Sequence, residues 1–106
     1  MGTMIPYGNV SAQAVVSLTL SPAVLGSGSA VEQTFTLRGV DPATDVIVGV
    51  SEPSTQAGSG IVGRRVTAKN TIGITFANNT GGTVTPPTEV YKIFVVRTDD
   101  TQGDFP

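Results

Sequence analysis

The sequence predicts an all-β fold: a single-domain antiparallel β-sandwich or jelly-roll-like barrel of about six to eight strands. Three observations carry this. β-Branched and small residues dominate, whereas Lys, Glu and Leu at helical spacing are missing. Apolar and polar residues alternate with period two in one segment after another. Turn-forming clusters, "SPAVLGSGS", "DPATD", "EPSTQAGSG" and "NNTGGTVTPP", separate those segments at the spacing of about ten residues that sandwiches and small barrels use. A chain of 106 residues is one domain by length. It buries only roughly 60–65% of the surface its unfolded form exposes, enough to fold alone but without much margin.

Residues 1 to 13 fall outside the alternating pattern and are expected to form an extended N-terminal arm, with Ile5, Pro6 and Tyr7 set among Gly, Asn, Ser and Gln. A frayed terminus is the bland reading of the same stretch. Residues 14 to 98 form the β body. Its first strand, "AVVSLTL", puts Ala14, Val16, Leu18 and Leu20 on one face, opposite Ser17 and Thr19. In "VEQTFTLRG" the inward set is Val31, Gln33, Phe35 and Leu37. The run "DVIVGVS" is apolar on both faces through Val46, Ile47, Val48 and Val50, as a central strand would be. "IVGRRVTAK" and "TIGITFAN" are expected to pair through a tight turn near Lys69 and Asn70, because Asn tolerates a positive φ. Ile72, Ile74 and Phe76 then share one face. The last strand, "VYKIFVVRT", is the strongest; it is expected in the middle of a sheet, with Tyr91, Ile93 and Val95 on one side and Phe94 and Val96 on the other. Residues 99 to 106 read as an acidic C-terminal tail.

Composition narrows the chemistry. Charged residues make up 13% of the chain, well below the usual quarter, which suggests that something covers part of the surface. The net charge is -2 and the six basic residues are scattered, so no nucleic-acid partner is expected. Cysteine and histidine are both absent, which leaves neither thiolate or imidazole metal ligands nor a Ser-His or Cys-His nucleophile. No metal, cofactor or enzymatic activity is expected. The opening "MGTMIPYGNVSAQ" lacks the basic and apolar regions of a signal peptide, and no apolar run approaches the roughly 20 residues of a membrane span, so the expectation is a protein made in a cytoplasm with no membrane partner.

Individual motifs weigh against their bland alternatives. "GSGIVG" matches G-x-G-x-x-G at Gly58, Gly60 and Gly63, but a strand-like segment follows it and no acidic residue lies about 20 positions on, so a glycine-rich loop entering a strand is preferred to a nucleotide site. Asp41 and Asp45 sit where Asp caps its own backbone, and turn chemistry outweighs a carboxylate pair for catalysis. Asn9-Val10-Ser11 and Asn78-Asn79-Thr80 match the glycosylation pattern by chance, there being no secretory signal. Arg64 and Arg65 adjoin in a strand and are expected on opposite faces, one near the apolar layer, where it reaches a rim, a carboxylate or a partner subunit.

The string "AGSGIVGRRVTAKNTIGITFANNTGGTVTPPTEVYKIFVVR", residues 57 to 97, resembles a pattern of small virion proteins of tailed bacteriophages. A glycine-led strand ending in R-V-x-A precedes a polar turn, then I-x-F-x-N-x-T, a Thr-Pro corner and a closing Tyr-containing strand ending in V-x-R. The match runs through Arg65, Val66, Ala68, Ile74, Phe76, Asn78, Thr80, Thr85, Pro86, Tyr91, Val95 and Arg97. "LRGVDPATDVIVGVSEPS", residues 37 to 54, looks like the companion segment, and together the two stretches cover about 60 of the 106 residues. The resemblance implies a capsid decoration (cement) protein on the outer capsid surface of a virion, its partner the major capsid protein. The expected assembly is a homotrimer, with Ile5, Pro6, Tyr7, Arg64 and Arg65 as capsid-facing or intersubunit residues. The alternative is a tail-fibre, head-fibre or baseplate module that binds a host receptor or carbohydrate; it is short of the exposed aromatics, Trp above all, that sugar binding uses.

Overall fold

The computed structural model describes residues 10–54 and 56–98, and it is all-β, with six strands in two three-stranded antiparallel sheets and no helix among the described residues. The expected arm residues Ile5, Pro6 and Tyr7 and the tail 99 to 106 lie outside the described residues. In chain order the strands are β1 (Val10–Leu20), β2 (Ala30–Thr36), β3 (Asp45–Ser51), β4 (Ser59–Ala68), β5 (Thr71–Asn78) and β6 (Glu89–Thr98). One sheet has the order β1-β6-β3 and the other β2-β5-β4, so only β4 and β5 are neighbours both in sequence and in a sheet. Every other connection changes sheets.

Alternation decides which side chains meet. On β5, Ile72, Ile74 and Phe76 are fully buried, and on β6 Tyr91 and Ile93 are as well, with Val95 at their end. These inward faces join Ile47, Leu20, Leu25, Leu37 and Val40 in a single apolar cluster drawn from both sheets. The two central strands therefore supply most of the core, β6 in the position that its sequence predicts. The β4–β5 pairing also follows expectation: Ala68 faces Thr71 across Lys69 and Asn70, and Asn70 adopts a φ of 62°. That turn does more than reverse the chain. Asn70 N–H donates to Val40 O, its own carbonyl accepts from Leu37 N–H, and its Oδ1 accepts from Gly39 N–H at 2.8 Å, so the hairpin tip grips the 37–40 loop.

Two expectations are corrected. The segment from Val46 to Val50 is apolar on both faces, yet β3 lies at a sheet edge, and Val46 and Val48 are 53% and 51% exposed. A two-sided apolar pattern fits a central strand and equally an edge strand whose outer face stays uncovered. On β1 the alternation holds for Val16, Leu18 and Leu20, whereas Ala14 is exposed and lines, with Leu37 and Val40, an open groove of about 160 Å³ that no side chain fills. β1 itself begins at Val10 and so takes in residues 10 to 13 of the expected arm.

Asn78, at the end of β5, is fully buried and acts as the knot of the connections. Its Nδ2 donates to Leu25 O, Gly26 O and Gly82 O at 3.2, 3.2 and 2.8 Å, and its Oδ1 accepts from Thr80 N–H and Thr80 Oγ1–H at 2.9 and 2.6 Å. A bridge between Leu25 and Val84 ties the same two loops through paired backbone bonds of 2.7 and 3.0 Å. Near the start of β6 the Tyr91 hydroxyl donates to Pro87 O, four residues upstream, at 3.0 Å, in the manner of a tyrosine corner that fixes a sheet-to-sheet crossing.

Replacing Asn78 by Ala is expected to cost about 2–4 kcal/mol, since several buried partners lose their bonds together. The neighbouring Asn79→Ala, at an exposed side chain, is expected to stay within about 0.5 kcal/mol of the parent. Urea unfolding of the two variants measures the difference.

Candidate interaction surface

The charged side chains of the body are largely spent on the body. Arg65 lies opposite Gly73 on the outer face of its sheet, and its Nε and Nη2 donate to the two carboxylate oxygens of Glu32 at 2.7 and 2.8 Å. The bridge runs from β4 to β2 across β5, and Gly73 is what lets it lie flat: a Cβ there would stand 2.5 Å from Glu32 Oε2. The guanidinium holds the Glu32 carboxyl below its ordinary range, and the carboxylate in turn raises Arg65. Both groups are in reach of water, the arginine side chain 68% exposed, so the bridge orders the surface more than it stabilises the fold. Arg64 lies opposite the buried Ile74, on the inner face, and escapes along the rim to donate from Nη2 to Val48 O on β3 at 3.2 Å. The two arginines thus sit on opposite faces, as alternation predicts, and each is held by a group of its own chain.

A second ion pair is of a different kind. Asp45 and Arg97 are register partners at the ends of β3 and β6, and Arg97 Nε and Nη2 donate to Oδ1 and Oδ2 of Asp45 at 2.7 and 2.9 Å. The aspartate side chain has no exposure at all, the arginine 46%. Asp41 N–H and Thr44 Oγ1–H also donate to Asp45, and Arg97 Nη2 donates to Gly39 O at 2.7 Å. These bonds outweigh the burial that opposes ionisation and bring the Asp45 carboxyl down to about 2. Asp41 closes its own turn by accepting from Ala43 N–H, as the Asp-Pro reading anticipates. Asp45 exceeds that reading, because its main partner is 52 residues away.

Near the start of β6, burial raises the Glu52 carboxyl, with the neighbouring Glu89 adding to the shift, and desolvation raises the Tyr91 hydroxyl, whose single proton is shared between Pro87 O and the longer contact to Glu52 Oε2 at 3.3 Å. Among the described residues no three His, Cys, Asp or Glu side chains come together as metal ligands, and no helix is long and apolar enough to cross a membrane. Asn78 cannot carry a glycan in this fold, being buried with every polar atom engaged. Gly58, Gly60 and Gly63 lead into or lie in β4 rather than opening a helix.

Beside these paired charges the surface holds an apolar patch. The outer face of the β1-β6-β3 sheet presents Val15, Val46, Val48 and Phe94, 56%, 53%, 51% and 38% exposed, and Val15 is paired directly with Phe94. A groove of about 170 Å³ runs among Val15, Val48 and Phe94, bounded by Gln13 and Val96. It is smaller and shallower than the roughly 300–1,000 Å³ of small-molecule sites, which suits a flat contact with another macromolecule. Sequence reading singled out the arginines and missed this patch, although the two-sided apolar pattern of 46 to 50 was its visible trace. Fold and surface together define an all-β module whose polar groups mostly serve its own loops and whose exposed apolar face is left for contact. Comparison with known proteins finds no matching family model, no matching curated protein and no matching solved structure.

The depressed Asp45 carboxyl sets an acid limit. A folded-state value of about 2 against an ordinary 3.8 means that the pair contributes fully above about pH 5 and loses its contribution as the pH falls through 3.8 towards 2. The urea midpoint is expected to fall over that window, and Asp45→Asn, less stable at pH 7, is expected to show a flatter profile; equal slopes for the two proteins would refute the assignment.

Proposed function

We propose that this chain is a bacteriophage capsid decoration protein, a β-sandwich module that binds the outer surface of the major capsid shell and stabilises it. The observation that carries this reading is the exposed valine and phenylalanine face on a body with few charges; the sequence pattern of residues 57 to 97 supplies the phage virion context. An apolar face seated across subunit boundaries strengthens a lattice by its differential affinity: a clamp that binds only the expanded shell shifts the shell towards that state. The protein is made in the host cytoplasm and ends on the virion. Arg64, on the rim, Arg65, on the outer face of the second sheet, and the segment containing Ile5, Pro6 and Tyr7 are proposed as further capsid-facing or intersubunit residues. No cofactor, metal, nucleic acid or membrane enters this role.

Cosedimentation with expanded capsids tests it, followed by thermal release of the packaged genome. Binding is expected to raise the release temperature. Phe94→Asp is expected to weaken binding at least about tenfold, a desolvated anchor being worth more than about 1.4 kcal/mol. Deletion of residues 1 to 9, which leaves β1 whole, tests the Ile5, Pro6 and Tyr7 assignment separately. Virion density that places the chain on the tail, or failure of the parent protein to cosediment with capsids, would favour the fibre or baseplate module instead; capsid binding untouched by both changes would overturn the proposed contact residues.

A further inference from the structure

We infer that the free edge of β1 is a self-association site, where a second copy of this chain pairs its own β1 antiparallel across a two-fold axis near Val15. The inference is independent of the capsid reading and starts from the four edges of the two sheets. A strand edge presents unpaired backbone groups, and proteins normally blunt it with charges, proline, bulges or a covering loop. Three of the four edges are blunted in this way. β2 carries Glu32 and has the 21–25 segment fastened beside it, Ala23 N–H donating to Gln33 Oε1 at 2.7 Å and Gln33 Nε2 donating to Ala23 O at 3.3 Å. β3 is bulged between Ile47 and Gly49, and Arg64 occupies its Val48 carbonyl. β4 is bulged at two places and carries both arginines.

Among the described residues, β1 has none of these devices over most of its length. It is the longest strand; β6 is its one partner strand among the described residues, and its register shift falls between Val10 and Ala12. From Ala12 to Leu20 the ladder is unbroken and the sequence AQAVVSLTL holds no charge and no proline. An uncharged strand meets a copy of itself without like charges in opposition, which a charged edge cannot do.

The side chains select the register. Placing Val15 opposite its symmetry mate sets Ala14 against Val16 and Ala12 against Leu18 of the second copy, small against large, on the face that continues the core. Ala12 and Ala14 are exposed in the single chain and line shallow grooves, while Val16 and Leu18 are only half-buried, so this pairing covers what one chain leaves open. A shift that set Leu20 against Ala12 would gain little, because Leu20 is already 5% exposed. The result is one six-stranded sheet, β3-β6-β1-β1-β6-β3, whose outer face joins both copies of the Val15, Phe94 and Val48 patch. Three-fold closure through strands would instead require β1 to enter a different edge, and the other three are blunted.

Solution mass tests this, with charge exchange at the axis. Wild-type protein is expected at twice the chain mass of 10.8 kDa. Val15→Lys and Val15→Glu, at a side chain 56% exposed, are each expected to run as single chains with the parent's circular dichroism and one cooperative unfolding transition, its midpoint below the dimer's and independent of protein concentration. Mixed in equal amounts they are expected to return to the two-chain mass, since opposite charges then face each other at the axis. A wild-type monomer, a trimer, or a dimer that both single variants leave intact overturns the proposal; variants that separate but do not recombine overturn the Val15 register.

Discussion

The carboxamide of Asn78 is the constraint on which the rest of the structure depends. Four of the five strand connections cross between sheets, and sheets of only three strands bury little surface with which to hold long crossings in place. Asn78 stands where two of those crossings meet. It satisfies carbonyls from residues 25, 26 and 82 and takes two bonds from Thr80, while its own backbone N–H donates to Ser29 O and its carbonyl accepts from Gly28 N–H. A buried amide is tolerable only when its polar atoms are met, and here the atoms that meet it belong to the loops that need fixing. Apolar packing makes the sheets adhere; this hub decides how their ends are joined.

The same economy governs the charges. Asp45 and Arg97 clamp the far end of β6 to the 39–45 loop, and Arg65 and Glu32 lace the outer face of the second sheet over Gly73. Most of the few ionisable groups among the described residues are committed to holding strands, loops and strand ends. The outer face of β1, β6 and β3 is left without acidic residues and with several exposed valines, and the edge of β1 without the usual protection. A surface with this distribution is poorly suited to life as an isolated, highly soluble monomer and well suited to being covered. The proposed capsid binding by the face and the inferred strand pairing by the edge are compatible, because a backbone ladder and an outward side-chain patch use perpendicular directions of one sheet.

Much of the architecture was legible in the residues, and the reason is period-two alternation. Ile72, Ile74 and Phe76, and Tyr91, Ile93 and Val95, announce their inward faces because every second residue of a strand shares a side. Asn70 announces its turn because few other residues adopt a positive φ cheaply. Alternation is silent about neighbours. It did not separate an edge strand with an uncovered face from a central one, hence the misplacing of β3, nor say that Ala14 lies beyond the reach of the opposite sheet. The interaction surface was less legible still. Arg64 and Arg65 attracted notice as adjacent charges, but the exposed valines look like core residues until the strand order is known.

By itself, the sequence determined the class of fold, the faces of the central strands, the β4–β5 hairpin and the absence of Cys and His chemistry, because each of these rests on residue type and local spacing. Only the tertiary structure decided which strands lie side by side, that Asp45 finds Arg97 and Glu32 finds Arg65, that Asn78 is a buried hub rather than a surface acceptor, and that β1 pairs with β6 alone among the described strands. The physical reason is range. Backbone propensity and alternation act between near neighbours, whereas strand order, ion pairing and exposure depend on segments tens of residues apart that share no local signal until the chain has closed around them.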